Sequence, residues 1–210
     1  MNADVLALAA NDVRRTALSV LSRRGAMTIP ALATVVTAAC CRVAPETVTG
    51  AERRRHELLL RHAHLPKLAD AGVVSIDPDR SFVRPLASPL FEEPVATLVD
   101  PDSGVSTDVI GAIANERRLL VLAILDEAAG PCTTTNIATQ VVAAERNCEP
   151  ATVPDRARED CRTELSHVHL PALVDAALVE RLEAGYFVHE ETLPAPVRAI
   201  LEIELTQKDE

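Results

Sequence analysis

An arginine-rich segment carries the residues of this chain best suited to binding chemistry. Arg53 and Arg54 precede Arg61, and a projection at roughly 100° per residue groups them with Glu57 and His64 within an arc of about 100°. Arginine holds guanine edges or phosphates through its fork of donors. The segment therefore predicts a helix face that contacts nucleic acid, and a merely solvated face is the alternative.

Further basic residues extend this predicted DNA-binding set. Lys67 follows on the same helix as a point charge suited to phosphate, while Arg80 and Arg84 fall in a predicted hairpin. The partner that these residues predict is double-stranded DNA. The complete set is Arg53, Arg54, Arg61, His64, Lys67, Arg80 and Arg84.

Histidines and cysteines raise the question of a metal centre. His62 and His64 have the residue types of metal ligands, but two histidines separated by one residue point about 200° apart on a helix. No Cys-x-x-Cys occurs either, so we predict no metal site. We expect these histidines to pack at a helix kink, face the groove or cap freed carbonyls. The cysteines, expected to be reduced and mostly buried, are Cys40, Cys41, Cys132, Cys148 and Cys161.

Catalytic motifs are missing from the sequence. It contains no phosphate-binding glycine loop, no nucleophile elbow and no metalloprotease motif, and it has only seven glycines. We therefore expect a protein that is not an enzyme and that needs no cofactor.

A repeated block divides the chain into two related domains. Residues 62–74 return as residues 167–179 with the shared pattern His-x-His-Leu-Pro-x-Leu-x-Asp-Ala, and the flanking sequences match as well. The period is that of a small domain rather than of a solenoid repeat. The predicted domains are residues 1–86 and residues 108–191.

Each domain is predicted to contain three helices followed by a β-hairpin. In the first copy, a helix runs up to Gly25, and Asn11-Asp12 either leaves it intact or divides it into two. Thr28 caps the second helix, the third covers residues 52–70, and the hairpin covers residues 73–84. The predicted fold class is mainly α with small β-hairpins, in the order of a winged helix-turn-helix.

Pro66 interrupts the third predicted helix. Because proline lacks an amide donor and crowds the carbonyl of His62, we expect a kink or a fresh helical start there. Leu65 and Leu68 project near the arginine arc of a straight helix, which a reset at Pro66 would resolve.

The segment from His64 to Val74 resembles the junction of recognition helix and wing in winged-helix repressors of the arsenic-repressor type. It more closely resembles a winged-helix domain family of unknown function common in haloarchaea, whose pattern is His-x-His-Leu-Pro-x-Leu-x-x-Ala-Gly. The resemblance covers both copies and implies tandem winged helices that lay the third helix in the major groove. Ala177 stands where the family has glycine, so a left-handed turn there would be strained.

Charge distinguishes the two copies. Residues 1–86 carry 12 Lys and Arg against 8 Asp and Glu, whereas residues 87–210 carry 9 against 23. Phosphate contact needs positive charge, so the second copy is predicted to serve dimerisation, pseudo-dimer pairing or partner binding instead of DNA contact. Its replacements include Arg158-Glu159-Asp160 for Arg53-Arg54-Arg55, Ser166 for Arg61 and Ala172 for Lys67.

Two further segments complete the predicted organisation. Residues 87–107, rich in proline and acids, suit a linker rather than a packed element. Residues 192–210 form a C-terminal tail in which Pro194 to Thr206 predicts an amphipathic helix that packs between copies or subunits.

Composition favours a cytoplasmic, salt-adapted protein. Two lysines accompany nineteen arginines, acids exceed bases by ten, and no apolar run approaches a membrane span. The N-terminus also lacks the basic region of a signal peptide.

Three functions remain open at this stage. The leading one is a DNA-binding transcriptional regulator whose first copy contacts DNA. The alternative is a protein–protein interaction module that kept the fold and lost DNA binding. A sensor with a ligand between the copies is the third.

Overall fold

The chain folds into two compact units that are mainly helical with small antiparallel hairpins. The first unit covers Ala3–Ile110 and the second begins at Gly111. This computed structural model describes residues 3–77, 79–189, 191 and 193–206, with side chains described up to Glu202.

The first unit begins with two helices rather than one. α1 covers Ala3–Ala7, and α2 covers Asp12–Arg24. Asn11 separates them, because its backbone is extended and its side chain accepts from the Arg14 amide at 3.2 Å, which caps α2. Of the two predicted outcomes, Asn11-Asp12 therefore divides the helix.

The second main helix, α3, covers Ile29–Cys41 and begins at Thr28, as predicted. The Thr28 hydroxyl accepts from the Ala31 amide at 3.3 Å. Pro30 occupies the first turn, where a missing amide costs no helical bond, and Leu32 is fully buried.

The third helix of the first unit spans residues 50–70 and has two α-helical halves joined by a π turn. Thr49 starts it with a capping box, in which Thr49 and Glu52 each accept the other's amide. Its parts are α4 at Gly50–Leu59, the π turn at Leu60–His64 and α5 at Leu65–Asp70.

Pro66 accounts for the π turn. Proline has no amide donor and crowds the preceding turn, so regular α-helical bonding cannot continue through it. The Leu65 amide bonds instead to the carbonyl of Leu60, five residues earlier. Leu60, Leu65 and Leu68 are all fully buried, which the wider turn makes possible. Of the two outcomes predicted at Pro66, a kink or a fresh helical start, the structure shows a fresh start, because a new α-helical segment begins at Leu65.

An antiparallel sheet of three strands follows the third helix, and the hairpin predicted there is confirmed. Val83 is buried and Arg84 is exposed, the alternation of a sheet with one covered face. Pro78, part of the predicted turn, lies outside the described residues. The strands, in the order β1-β3-β2, are β1 at Met27–Thr28, β2 at Val74–Asp77 and β3 at Phe82–Pro85.

The segment after the hairpin packs against α2, so the expectation of an unpacked linker at residues 87–107 is wrong. It contains α6 at Val95–Val99. Although prolines and acids interrupt the segment, enough apolar side chains remain to cover α2 and gain from burial. Its buried apolar residues are Leu90, Val95, Leu98, Val99 and Val105.

Arg15 of α2 holds this segment through its buried guanidinium. Burial lowers the pKa of Arg15, and the charges of Asp12 and Asp100 oppose that shift. Leu119 stands at the equivalent position of the second unit, so this anchor belongs to the first unit alone. The acceptors are the carbonyls of Leu98 at 3.1 Å, Val99 at 3.1 Å, Asp100 at 2.7 Å and Val105, with the Ser103 hydroxyl at 3.0 Å.

The second unit repeats the helical order of the first. Its first helices are α7 at Thr107–Ile113, which starts before the boundary, α8 at Glu116–Asp126 and α9 at Thr134–Arg146. Its third helix, residues 155–175, comprises α10 at Asp155–Glu164, a π turn at Leu165–His169 and α11 at Leu170–Asp175. The remaining elements are β4 at Glu180–Leu182, β5 at Gly185–Phe187 and α12 at Ala195–Thr206.

The final helix, α12, forms where the sequence predicts it. Val197, Ile200 and Leu201 are buried, and the helix contacts α8 within the second unit. The side chains of Ile203 and Leu205, also predicted to be part of its apolar face, lie outside the described residues.

Cysteine burial differs from the prediction. Cys161 is buried, but Cys40 and Cys41 are exposed, and Cys132 and Cys148 are only partly covered. All five thiols are free, as expected. Cys40 and Cys41 are the last two residues of α3, and this end of the helix is exposed. Their apolar character is therefore not enough to bury them.

A reciprocal exchange of glycine and alanine tests the strain predicted at Ala177. Ala177 has φ 56°, and Gly72, its counterpart, has φ 71°. We expect Ala177→Gly to raise the free energy of unfolding of the second unit by roughly 0.5–1 kcal/mol, because relief of left-handed strain exceeds the entropy cost of glycine. Gly72→Ala should lower the free energy of unfolding of the first unit by a similar amount. Urea unfolding measures both, and a destabilised Ala177→Gly would contradict the assignment.

Removing the Arg15 guanidinium tests the anchor of the post-hairpin segment. Arg15→Leu leaves buried carbonyls without a donor, so we expect the first unit to lose at least about 2 kcal/mol of stability. Amide hydrogen exchange over residues 98–105 should also be faster in the Arg15→Leu variant than in the wild-type protein. Arg24→Leu, at an exposed position of the same helix, is the matched control and should change neither measurement.

Candidate nucleic-acid interface

Three of the predicted DNA-binding arginines meet in one cleft of about 430 Å³. It lies where the first turn of α3, at Pro30, meets α4 and the π turn. We call it the arginine cleft. Its lining residues are Pro30, Arg53, Arg54, Glu57, Leu58 and Arg61.

Glu57 lies between two guanidinium groups of the arginine cleft. Its Oε1 accepts from Nε of Arg61 at 3.2 Å and from Nη2 at 3.0 Å, while Nη1 of Arg53 lies 3.9 Å from its Oε2. Such partly exposed pairs add little stability. The two hydrogen bonds restrict the orientation of Arg61, whose Nη1 donors stay available, whereas Arg53 is only within ion-pair distance of Glu57.

Ser81 joins the third helix to the hairpin. Its hydroxyl accepts from Nη2 of Arg61 at 3.0 Å, and its carbonyl accepts from the Ile29 amide at 2.8 Å. Its backbone is left-handed, with φ 51°, and these two bonds offset the strain of that conformation. Ser81 therefore fixes the hairpin turn to both α3 and Arg61. Sequence patterns gave no signal for this role.

Arg54 differs from Arg53 and Arg61, the other arginines of the cleft, because it has no internal partner. It is exposed, and within the described part of the chain it makes no ion pair or hydrogen bond through its side chain. Arg55 is exposed as well but does not line the cleft. Arg54 therefore presents a full set of donors to whatever enters the cleft.

His64 and Lys67, also predicted DNA-binding residues, do not line the arginine cleft. His64 is half-buried, and burial lowers its pKa, as do the charges of Arg14, His56 and Lys67. The straight-helix projection that grouped His64 with Arg61 takes no account of the π turn that contains both residues. Lys67 is exposed on α5.

The hairpin arginines are exposed as predicted for a phosphate-contacting segment. The side chain of Arg80 is 84% exposed, and its amide donates to Asp77 Oδ1 at 3.1 Å. Arg84 is exposed on β3, opposite Ser75. Neither lines the arginine cleft, but Arg80 is adjacent in sequence to Ser81.

Leu58 is a cleft residue that the charge pattern did not reveal. Its exposed fraction is 59%, the largest among the large hydrophobic residues that the structure describes as exposed, and Leu59 beside it is 40% exposed. The only feature of the sequence that could have indicated Leu58 as a cleft residue is its position one helical turn after Arg54.

The third helix of the second unit pairs its arginines internally. Arg158 donates to Asp155 at 2.6 Å, and Arg162 donates to Glu159 at 2.9 and 2.6 Å. Residues 155–175 carry three Arg against five Asp and Glu, whereas residues 50–70 carry five Arg and Lys against three. The two units therefore present opposite charge on equivalent helices.

A second ion-pair cluster braces the third helix of the second unit. Arg117 of α8 donates to Glu145 of α9 at 2.7 and 2.9 Å and also to Glu164 of α10. The hydrogen bond to Glu145 raises the pKa of Arg117, against the effect of burial. The equivalent positions in the first unit are Val13, Cys40 and Leu59, so uncharged side chains replace the cluster there.

Metal and membrane sites are not evident in the described part of the chain. Its His, Cys, Asp and Glu residues form no group of three or more that could hold a metal ion. None of its helices is long and apolar enough to cross a membrane.

One family model matches the chain twice, over residues 6–84 and residues 110–185, and its description is a domain of unknown function, DUF7344. The two matches cover more than half of the chain. The chain belongs to the DUF7344 family. The predicted duplication is confirmed as tandem DUF7344 domains, and both matches include the third helix. No curated protein and no solved structure matches the chain.

The half-buried histidines of the two DUF7344 domains predict a loss of stability in mild acid. Burial lowers the pKa of His64 and of His169 below the ordinary 6.5. The unfolded chain therefore takes up these protons first, and the free energy of unfolding should fall as the pH drops below about 6.5.

A double variant isolates this pH effect. His64→Gln with His169→Gln should show a smaller decrease in the free energy of unfolding between pH 7 and pH 5, measured by urea unfolding. His62→Gln with His167→Gln, at exposed positions, is the matched control and should keep the wild-type slope. Equal slopes in all three proteins would remove these two rings as the cause.

Proposed function

We propose that this protein is a non-enzymatic, DNA-binding transcriptional regulator built from two winged-helix domains. The first DUF7344 domain lays its third helix in the major groove of duplex DNA, and its hairpin is the wing that contacts the backbone. The second domain serves pairing or partner binding.

The order of elements supports the winged-helix assignment. Each unit has helices followed by a third helix and an antiparallel hairpin. In the first unit, β1 precedes α3 and pairs with β3, so the wing is attached to the N-terminal end of α3. This attachment places the wing beside the arginine cleft, where Arg61 reaches Ser81.

The observation that carries the DNA-binding proposal is the combination, in one cleft, of an Arg54 without an internal partner, an Arg61 held in orientation and a third arginine, Arg53. Arg61 is restricted by hydrogen bonds to Glu57 and to Ser81 of the hairpin, and Arg53 lies 3.9 Å from Glu57. A guanidinium with free donors can bond to O6 and N7 of guanine, while neighbouring arginines can hold phosphates.

The second domain lacks these features, which supports a different role for it. Its third-helix arginines are engaged by acids of the same helix, and the helix carries a net negative charge. Phosphates would be repelled by such a surface, and most non-specific DNA affinity comes from phosphate contacts. A basic partner surface would fit it instead.

An interaction module that does not bind DNA is the alternative function. The exposure of Leu58 and Leu59 on the third helix favours it, because exposed apolar side chains on a helix face are typical of protein-binding surfaces. The arginines that flank Leu58 favour DNA over this alternative.

Fluorescence anisotropy with genomic duplex fragments in a KCl series up to molar concentration tests the proposal. We expect the wild-type protein to bind and the Arg53→Ala/Arg54→Ala/Arg61→Ala variant to lose most of its affinity. The dependence of log K on log salt should become shallower by about one for each phosphate contact removed.

The matched control replaces Arg156, Arg158 and Arg162 of the second domain with alanine, which should leave binding nearly unchanged. Circular dichroism establishes that each variant is folded. If the folded wild-type protein binds no duplex at any salt concentration, the regulator proposal fails and the interaction module replaces it.

A further inference from the structure

Leu58 occupies a position that burial in the fold does not explain. It lines the arginine cleft with 59% of its surface exposed, one helical turn after Arg54. Side chains four residues apart lie on the same face of a helix, so Leu58 and the free guanidinium of Arg54 share one surface. An apolar side chain there gains only if a partner covers it.

The second unit has neither member of this pair. Glu159 replaces Arg54, and Thr163 replaces Leu58. Thr163 is exposed and donates its hydroxyl to the carbonyl of Glu159 at 3.0 Å, so it is satisfied within its own helix. The exposed leucine and the free arginine therefore occur together in one unit and disappear together in the other.

Leu59 differs from Leu58 in this comparison. Its counterpart, Glu164, pairs with Arg117 of α8, inside the second unit. In the second unit, the residue equivalent to Leu59 therefore makes a contact within its own unit. The residue equivalent to Leu58, Thr163, faces solvent. Leu58 is therefore the leucine that is available to a partner.

We propose that Leu58 is a specificity-determining residue that packs against the 5-methyl group of thymine in the major groove. The inference rests on the proposed DNA-binding function and deepens it. Thymine is the base that presents a methyl group in that groove, and apolar side chains distinguish it by contact. Arg54, on the same surface, donates to O6 and N7 of a guanine.

Helix and duplex dimensions limit the spacing of the two bases. Four residues rise about 6 Å along an α-helix, and successive base pairs are about 3.4 Å apart. Arg54 and Leu58 therefore reach bases one or two steps apart. The preferred duplex is expected to contain a guanine with a thymine within two base pairs of it.

Replacing thymine with 2′-deoxyuridine tests this contact, because it removes only the methyl group. Duplexes are first enriched from a random oligonucleotide library with the wild-type full-length protein, and each thymine of the enriched sequence is then replaced in turn. At one position the wild-type affinity should fall about fourfold, the value of one buried methyl group. Leu58→Ala should bind the two duplexes equally.

Leu59→Ala is the matched control and should keep the wild-type discrimination between thymine and deoxyuridine. The Arg53→Ala/Arg54→Ala/Arg61→Ala variant reports on the proposed function separately. If that variant loses binding while deoxyuridine has no effect at any position, or if Leu58→Ala keeps the discrimination, the thymine contact is wrong and DNA binding stands.

Two further outcomes would also overturn the inference. Absence of duplex binding by the folded wild-type protein removes both the function and the contact. Sedimentation that shows Leu58→Ala converting a dimer to a monomer, without a change in the thymine preference, would assign Leu58 to a second copy of the chain instead.

Discussion

The shape of the third helix in each unit follows from a proline that lacks an amide hydrogen-bond donor. Pro66 and Pro171 have no amide, and in both units the leucine before the proline bonds to the carbonyl five residues earlier. The wider turn lets the leucine that begins it and the leucines of the second helical half enter one core. Because α5 is fixed by that core, the turn sets the direction in which α4 presents its arginines.

The two units use this common backbone for different surfaces. In the first, Glu57 orients Arg61 and Arg54 has no partner within the described residues, while the hairpin turn is joined to the helix through Ser81. In the second, acids within the helix engage the arginines, and the Arg117 cluster braces it from α8. Duplication preserved the packing, since core leucines tolerate little change, while the exposed charges were free to diverge.

Local patterns predicted the elements well because their causes are local. Thr28 and Asn11 cap helices through side chains that reach amides three residues on, and Pro66 breaks the helical bonding around it. His64, which a straight-helix projection groups with the arginines, does not line the arginine cleft, and that projection takes no account of the π turn. Ser81 was missed since its partners, Ile29 and Arg61, are distant in sequence.

The sequence by itself determined the duplication, the order of three helices and a hairpin, the interruption of the third helix at Pro66 and the opposite charge of the two copies. All of these follow from spacing and residue type along a few turns of chain. Only the tertiary structure decided that residues 87–107 pack against α2 through Arg15, and that Arg54 and Leu58 share a cleft. Those outcomes depend on which acceptors and apolar surfaces meet after folding, and contacts between residues such as Arg15 and Val99 are set by the closed core rather than by neighbouring residues.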